Sequence, residues 1–169
     1  MGRSLHAGVL AAAMTFGTAA IAVAEVSETD RLFIEQAAMG GHEEVSTGQS
    51  AAESENSAVA AFGRQMVQDH TRLNDELGAI ARGLGVTPPD SPSLTQQAKG
   101  AATAVLPGAT FDRTYIATQV EDHQETLELM RNEASNGNDP QLKAFAQRAV
   151  PIIERHLAEA EKLQQQIAD

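Results

Sequence analysis

The sequence predicts an all-α protein, a four-helix bundle with a long crossover between its second and third helices. Composition is the first reason. Aromatic residues make up 4% of the 169, runs of β-branched residues are lacking, and Ala, Glu, Gln, Leu and Arg dominate, a mixture that favours helix over strand. Periodicity is the second reason, because apolar side chains recur at three- and four-residue spacing through four long stretches. The third is that only one connection is long. "GVTPPDSPSLTQQAKGAATAVLPGAT" separates two helical hairpins whose own turns are short, so the chain travels from one end of the bundle to the other between them.

The elements follow in chain order. "MGRSLHAGVLAAAMTFGTAAIAVA" has a cationic start at Arg3, an uncharged Ala-rich stretch and the small-x-small end Ala22-Val23-Ala24, the layout of a secretory signal peptide. Residues 1–24 are therefore expected to be removed before Glu25, leaving 25–169 as one domain of an exported protein, periplasmic or associated with the outer membrane. A retained anchor is the competing reading, and the stretch is Ala- and Gly-rich rather than Leu-rich. The first helix is expected to be capped by Thr29 or Asp30, with Phe33, Ala37, Gly41, Glu44, Gly48 and Ala52 on its inner stripe. Asn56 or Ser57 caps the second, which runs to the glycines at 83 and 85 with Val59, Phe62, Met66, His70, Leu73 and Leu77 inward.

Ser91-Pro92 opens a short helix within the crossover, ending before Pro107-Gly108. The third long helix starts near Thr110, carries Tyr115, Ile116, Val120, His123, Leu127 and Met130 on one face, and stops at "SNGND". Asp139-Pro140 supplies a cap followed by proline at the first helical position of the fourth, whose stripe includes Leu142, Phe145, Ile153, His156, Leu157 and Leu163.

Twelve basic residues stand against 23 acidic ones, a formal charge of −11, and loss of Arg3 makes the charge more negative. Phosphate backbones and anionic lipid are repelled, which argues against nucleic acid and anionic membrane surfaces as partners. The chain has no cysteine, so disulfides, thiol chemistry and Cys-type zinc sites are ruled out. An envelope protein or a second copy of the chain remains as a partner class, through an exposed helix face or the Pro-rich crossover.

Two near copies, "MVQDH" at 66–70 and "QVEDH" at 119–123, hold two of the five histidines. Both histidines fall on inner stripes, as does His156, whereas His42 lies about 200° of helix from the inward Glu44 and points outward. At about 1.5 Å per residue, Glu44, His70, His123 and His156 all fall near mid-bundle, within about one and a half turns of one another. Three imidazoles and one carboxylate suit a single divalent transition-metal ion better than calcium or magnesium. The same four groups also suit a metal-free hydrogen-bond network, because a buried carboxylate needs either an ion or donors. Asp69 and Asp122 sit about 100° from their neighbouring histidines. Each is placed either to hold an imidazole of an adjacent helix, fixing which ring nitrogen is free, or to form a flank salt bridge with Arg64, Arg113, Arg148 or Arg155. Asn74 and Tyr115 are placed either as packing residues with satisfied polar tips or as members of the polar network.

The segments "FIEQAAMGGHEEVSTGQSA", "FGRQMVQDHTRLNDEL", "FDRTYIATQVEDHQETLELM" and "LKAFAQRAVPIIERHLAEAEKL" resemble a family of bacterial exported proteins known as domain of unknown function 4142. The resemblance implies a ferritin-like four-helix bundle and export, and carries no activity, substrate or cofactor. A di-iron centre is not expected. Such centres use a Glu-x-x-His pair from each of two helices, and the sequence has none. Ser46, Ser50, Ser54 and Ser57 have no nucleophile-elbow context, "GGHEEV" has no strand-turn-helix context, and Glu43-Glu44 and Asp75-Glu76 diverge along their helices. No catalytic residue is assigned, and the sequence points to a binding or structural protein rather than an enzyme.

Overall fold

The computed structural model describes residues 25–167, so the expected signal peptide at 1–24 lies outside the described residues. Five helices follow one another: α1 (Glu28–Ala51), α2 (Ser57–Gly83), α3 (Leu94–Ala104), α4 (Gly108–Asn136) and α5 (Pro140–Ile167). Every regular element among the described residues is a helix, and none is long and apolar enough to cross a membrane.

The helix ends show why the chain divides where it does. Asn56 caps α2, accepting from the backbone of Ala58 and Val59. Gly85, at φ 75°, ends α2 in a left-handed turn, with Val86 N–H donating to Ala81 and Gly85 N–H to Arg82, the paired bonds that satisfy the last carbonyls of a helix. Ser93 and Gln96 form a reciprocal capping box at the start of α3, which begins two residues later than Ser91-Pro92 implied. Asp139 caps α5 by accepting from Gln141 and Leu142, with Pro140 at the first helical position. The cap of α1 differs from the expectation. Ser27, not Thr29 or Asp30, accepts from Asp30 N–H, while the buried Asp30 carboxylate accepts from Asn138 N–H at 3.0 Å, tying the start of α1 to the α4–α5 turn. The third long helix starts at Gly108 rather than Thr110.

Helices α1 and α2 form one hairpin and α4 and α5 the other, with α2 against α5 and α1 against α4 closing the bundle, and α3 lying over α1 and α4. The first hairpin is tight because two glycines face each other. A Cβ on Gly63 would lie 2.7 Å from the Gly48 carbonyl oxygen, and one on Gly48 would lie 2.9 Å from that of Gly63. Side chains there would force the backbones apart.

The apolar interior is split in two. One cluster gathers Phe33, Leu77, Phe145 and Ile153 with their neighbours; the other gathers Phe62, Met66, Tyr115, Ile116 and Leu163. Each buried Leu, Ile, Met or Phe contributes about 1.5–3 kcal/mol of transfer free energy, so both clusters hold the bundle together. Along every long helix the residues between the clusters are polar: Glu44 on α1, Asp69 and His70 on α2, Gln119 and His123 on α4, and His156 on α5, all buried. A polar layer thus crosses the middle of the core, where further apolar side chains would have given more stability.

Candidate metal centre

Three helices deliver the imidazoles of this layer. His70, His123 and His156 are 4%, 1% and 0% exposed, and one ring nitrogen from each lies within 4.8 Å of the other two. Their ring centroids are 5.4–5.5 Å apart. Each ring keeps one buried nitrogen with no hydrogen-bond partner, namely Nε2 of His70, Nε2 of His123 and Nδ1 of His156. Buried polar atoms without partners are uncommon in native proteins, and three of them fall on this one cluster of rings.

The other nitrogens of two rings are fixed. His156 Nε2 donates to Asp69 Oδ2 at 2.9 Å, across the α2–α5 interface. His123 Nδ1 donates to the Gln119 carbonyl oxygen one turn earlier, at 3.0 Å. These bonds assign the proton to Nε2 of His156 and Nδ1 of His123, leaving a lone pair on the opposite nitrogen of each ring, the form in which imidazole coordinates a metal. Asp69 is in turn held by Arg72 at 2.8 Å and Arg155 at 3.5 Å. It therefore fills both roles foreseen for it.

Electrostatics keeps the rings neutral. Burial, aided by the other two histidines, pushes His70 well below the usual imidazole value. Burial brings His123 down to about 4, against the Gln119 bond, and brings His156 down to about 4, against the Asp69 bond. Asp69 moves the other way. Burial raises its carboxyl, but the His156 bond and the charges of Arg72 and Arg155 outweigh this and hold it below the usual carboxylate value.

Glu44 is buried, as its stripe implied, but it is not one of the converging groups. Its Oε1 lies 3.7 Å from His123 Nδ1, the nitrogen committed to Gln119, and its Oε2 has no partner. Burial raises its pKa to about 8, opposed by the Gln119 side chain. Around pH 7 Glu44 and His123 are both neutral, so their contact is not an ion pair. Asp122 takes the flank salt bridge of its two expected roles, with a lysine of the crossover in place of an arginine. It holds no imidazole and pairs with Lys99 of α3 at 3.0 Å, because the crossover brings a cation over that flank. His42 is half-buried and outside the cluster.

Gln119, Glu43 and Lys99 also belong to the site. Gln119 is 1% exposed, and its signal was present in the sequence, since it precedes His123 by one turn on the same stripe. Glu43 is buried with Oε1 unpartnered, and its pKa is raised to about 7 by burial and then by Asp122 and Glu44. Tyr115 carries a buried, unpartnered hydroxyl whose pKa is raised by burial and by Glu44. The Asn74 amide sits over Gly41, where a Cβ would come within 1.9 Å of its oxygen.

The donor set fits a transition ion. Three nitrogens around a tetrahedral zinc-like ion lie about 3.3 Å apart, so the rings would draw together by up to about 1.5 Å on binding, within reach of side-chain torsions alone. The chain has no cysteine thiolate, and the geometry offers too few carboxylates for two bridged metals.

Comparison with known proteins agrees with the fold. The chain is similar to the crystal structure of a DUF305 fragment from Deinococcus radiodurans, with a TM-score of 0.74 and 13% identity over 83% of this chain and 98% of that one. That likeness shows that the two chains share a helical-bundle fold. Comparison with curated proteins gave no match. The profile of the family described as Domain of unknown function (DUF4142) matches residues 16–163, covering the helices that carry all three converging histidines, and the chain belongs to that family.

Proposed function

We propose that this protein binds one divalent transition-metal ion through His70, His123 and His156, as an exported binding protein rather than an enzyme. The observation that carries the reading is the meeting of three buried imidazoles where the apolar core is interrupted, one nitrogen of each within 4.8 Å of the others and each ring with one nitrogen unpartnered. Asp69 orients His156 and the Gln119 carbonyl orients His123. Glu44 beside His123 supplies countercharge, since a dication among neutral rings favours an ionised carboxylate nearby. A metal-free polar network accounts for the two fixed hydrogen bonds but not for the three nitrogens left over.

The test is a thermal melt of the unsubstituted protein with and without zinc, cobalt, nickel or copper. Binding at a hundredfold excess over Kd stabilises by about 2.7 kcal/mol, a shift of several degrees for a chain of this size. His123→Ala is expected to lose that shift, and an equal shift in this variant defeats the proposal. Export carries its own check, in that protein made in its native cell begins at Glu25.

A further inference from the structure

The polar layer is connected to the surface on one side. A cleft of about 320 Å³ between α1, α3 and α4 is lined by the carboxylates of Glu43, Glu44, Asp122 and Glu125, with Ser93 and Gln96 on its α3 side. Further in lies a cavity of about 30 Å³ lined by Glu44, His70 and Asn74 among apolar side chains, enough for one water or one bare ion. Gln36, Gly40, Glu44, Thr126 and Leu129 line both spaces, and Glu44 is the titratable one among them. It is 5% exposed, and its Oε2 has no partner. A buried, unpaired carboxyl at the junction of an acidic cleft and a histidine-lined cavity is costly for folding alone. It suits a cation passing from one space to the other.

We infer that this cleft is the loading passage of the three-histidine centre. Glu43, Asp122 and Glu125 collect a hydrated divalent cation. The inner cavity is too small for the hydrated ion, so water is shed at the junction, where a Glu44 carboxyl oxygen replaces it as a donor. The ion then passes Gly40, where a Cβ would meet nothing within 4 Å, and reaches His70. Lys99 of α3 competes for Asp122 at the mouth. Acidic clefts of one sign raise cation on-rates by about 10–10³, so the passage acts on the rate of loading, whereas the histidines set its end point. The inference rests on the proposed metal centre.

Stopped-flow mixing with cobalt(II) chloride separates the two, because cobalt absorption in the visible intensifies on tetrahedral nitrogen coordination. The Glu43→Gln/Glu125→Gln double variant and, separately, Gly40→Leu are expected to reach the unsubstituted end point at rates lower by about tenfold or more, and Lys99→Ala to load faster. The leucine tests the passage sterically and favours helix, so it preserves the fold; circular dichroism checks this. Unchanged rates in both variants overturn the passage. So does slow loading in the charge variant alone, which means attraction without a passage. An unsubstituted protein that takes up no cobalt, or a His123→Ala variant that takes up as much, overturns the centre itself and the passage with it.

Discussion

His156 Nε2 lies 2.9 Å from Asp69 Oδ2, both groups buried at the contact between α5 and α2. The bond commits Nε2 of His156 and leaves its Nδ1, buried and without a partner, as the lone-pair donor. Carboxylates in this position typically account for 10–100-fold in metal affinity. Asp69→Asn is therefore expected to fold, to keep one ion per chain at saturation, and to bind it about 10–100-fold more weakly. Competition with a coloured chelator measures this, and unchanged affinity removes Asp69 from the centre.

The polar layer is expected to trade stability for binding. His70 Nε2 is buried without a partner, and leaving such a group unpaired costs about 1–3 kcal/mol. His70→Leu, which joins the two apolar clusters, is expected to raise the Tm of the metal-free protein while removing its response to metal. A lower Tm in the absence of metal would show that His70 is part of a satisfied network.

Tight pairing of α1 and α2 gives a prediction independent of any ligand. A Cβ at Gly63 falls 2.7 Å from backbone oxygen and 2.8 Å from both Ala51 Cβ and Ala52 N, none of which is the end of a flexible side chain. Gly63→Ala is expected to destabilise by about 1–3 kcal/mol, seen as a lower urea midpoint at unchanged slope. Gly40→Ala, with open space at its Cβ, is expected to stabilise slightly.

Stability of the metal-free protein depends on pH with two opposite signs. His123 and His156, brought down to about 4 by burial, stay neutral in the fold while the unfolded chain gains protons below 6.5. Their contribution is complete above that value and is lost as pH falls toward 4. Glu44 at about 8 and Glu43 and Glu133 at about 7 are raised by burial, so the fold holds protons that the unfolded chain releases. Their contribution is complete below 4.5 and is lost as pH rises through 7 to 8. Above pH 6.5 only the carboxyls act, and Tm is expected to fall from pH 6.5 to 8.5. Glu133 stands apart from the histidines, near Asp30 and Asp139, so Glu133→Gln is expected to flatten part of that decline. A Tm that rises over this range contradicts the assignment.

Much of this arrangement was legible in the sequence. The three-and-four spacing placed His70, His123 and His156 on inner stripes, and counting residues along each helix placed them at one level. Caps at Asn56 and Asp139 were readable because short polar side chains there have one dominant use. Glu44 was read as inward, yet periodicity fixes a face and not the target of a flexible side chain, so its place beside His123 Nδ1 was not legible. Asp122 and Lys99 meet because α3 settles on α1 and α4, and no stripe encodes where a crossover lies. Ser27 caps α1 while Asp30, an equally good capping residue by type, accepts from Asn138 N–H instead, a long-range contact that no local pattern encodes.

Elemental analysis of the mature protein, made in its native cell and purified without a metal-affinity tag, decides whether the three histidines hold an ion. About one transition-metal ion per chain is expected, and none in a His70→Ala/His123→Ala variant that remains helical. A metal-free protein that stays so after incubation with iron, copper, zinc and manganese contradicts the three-histidine centre.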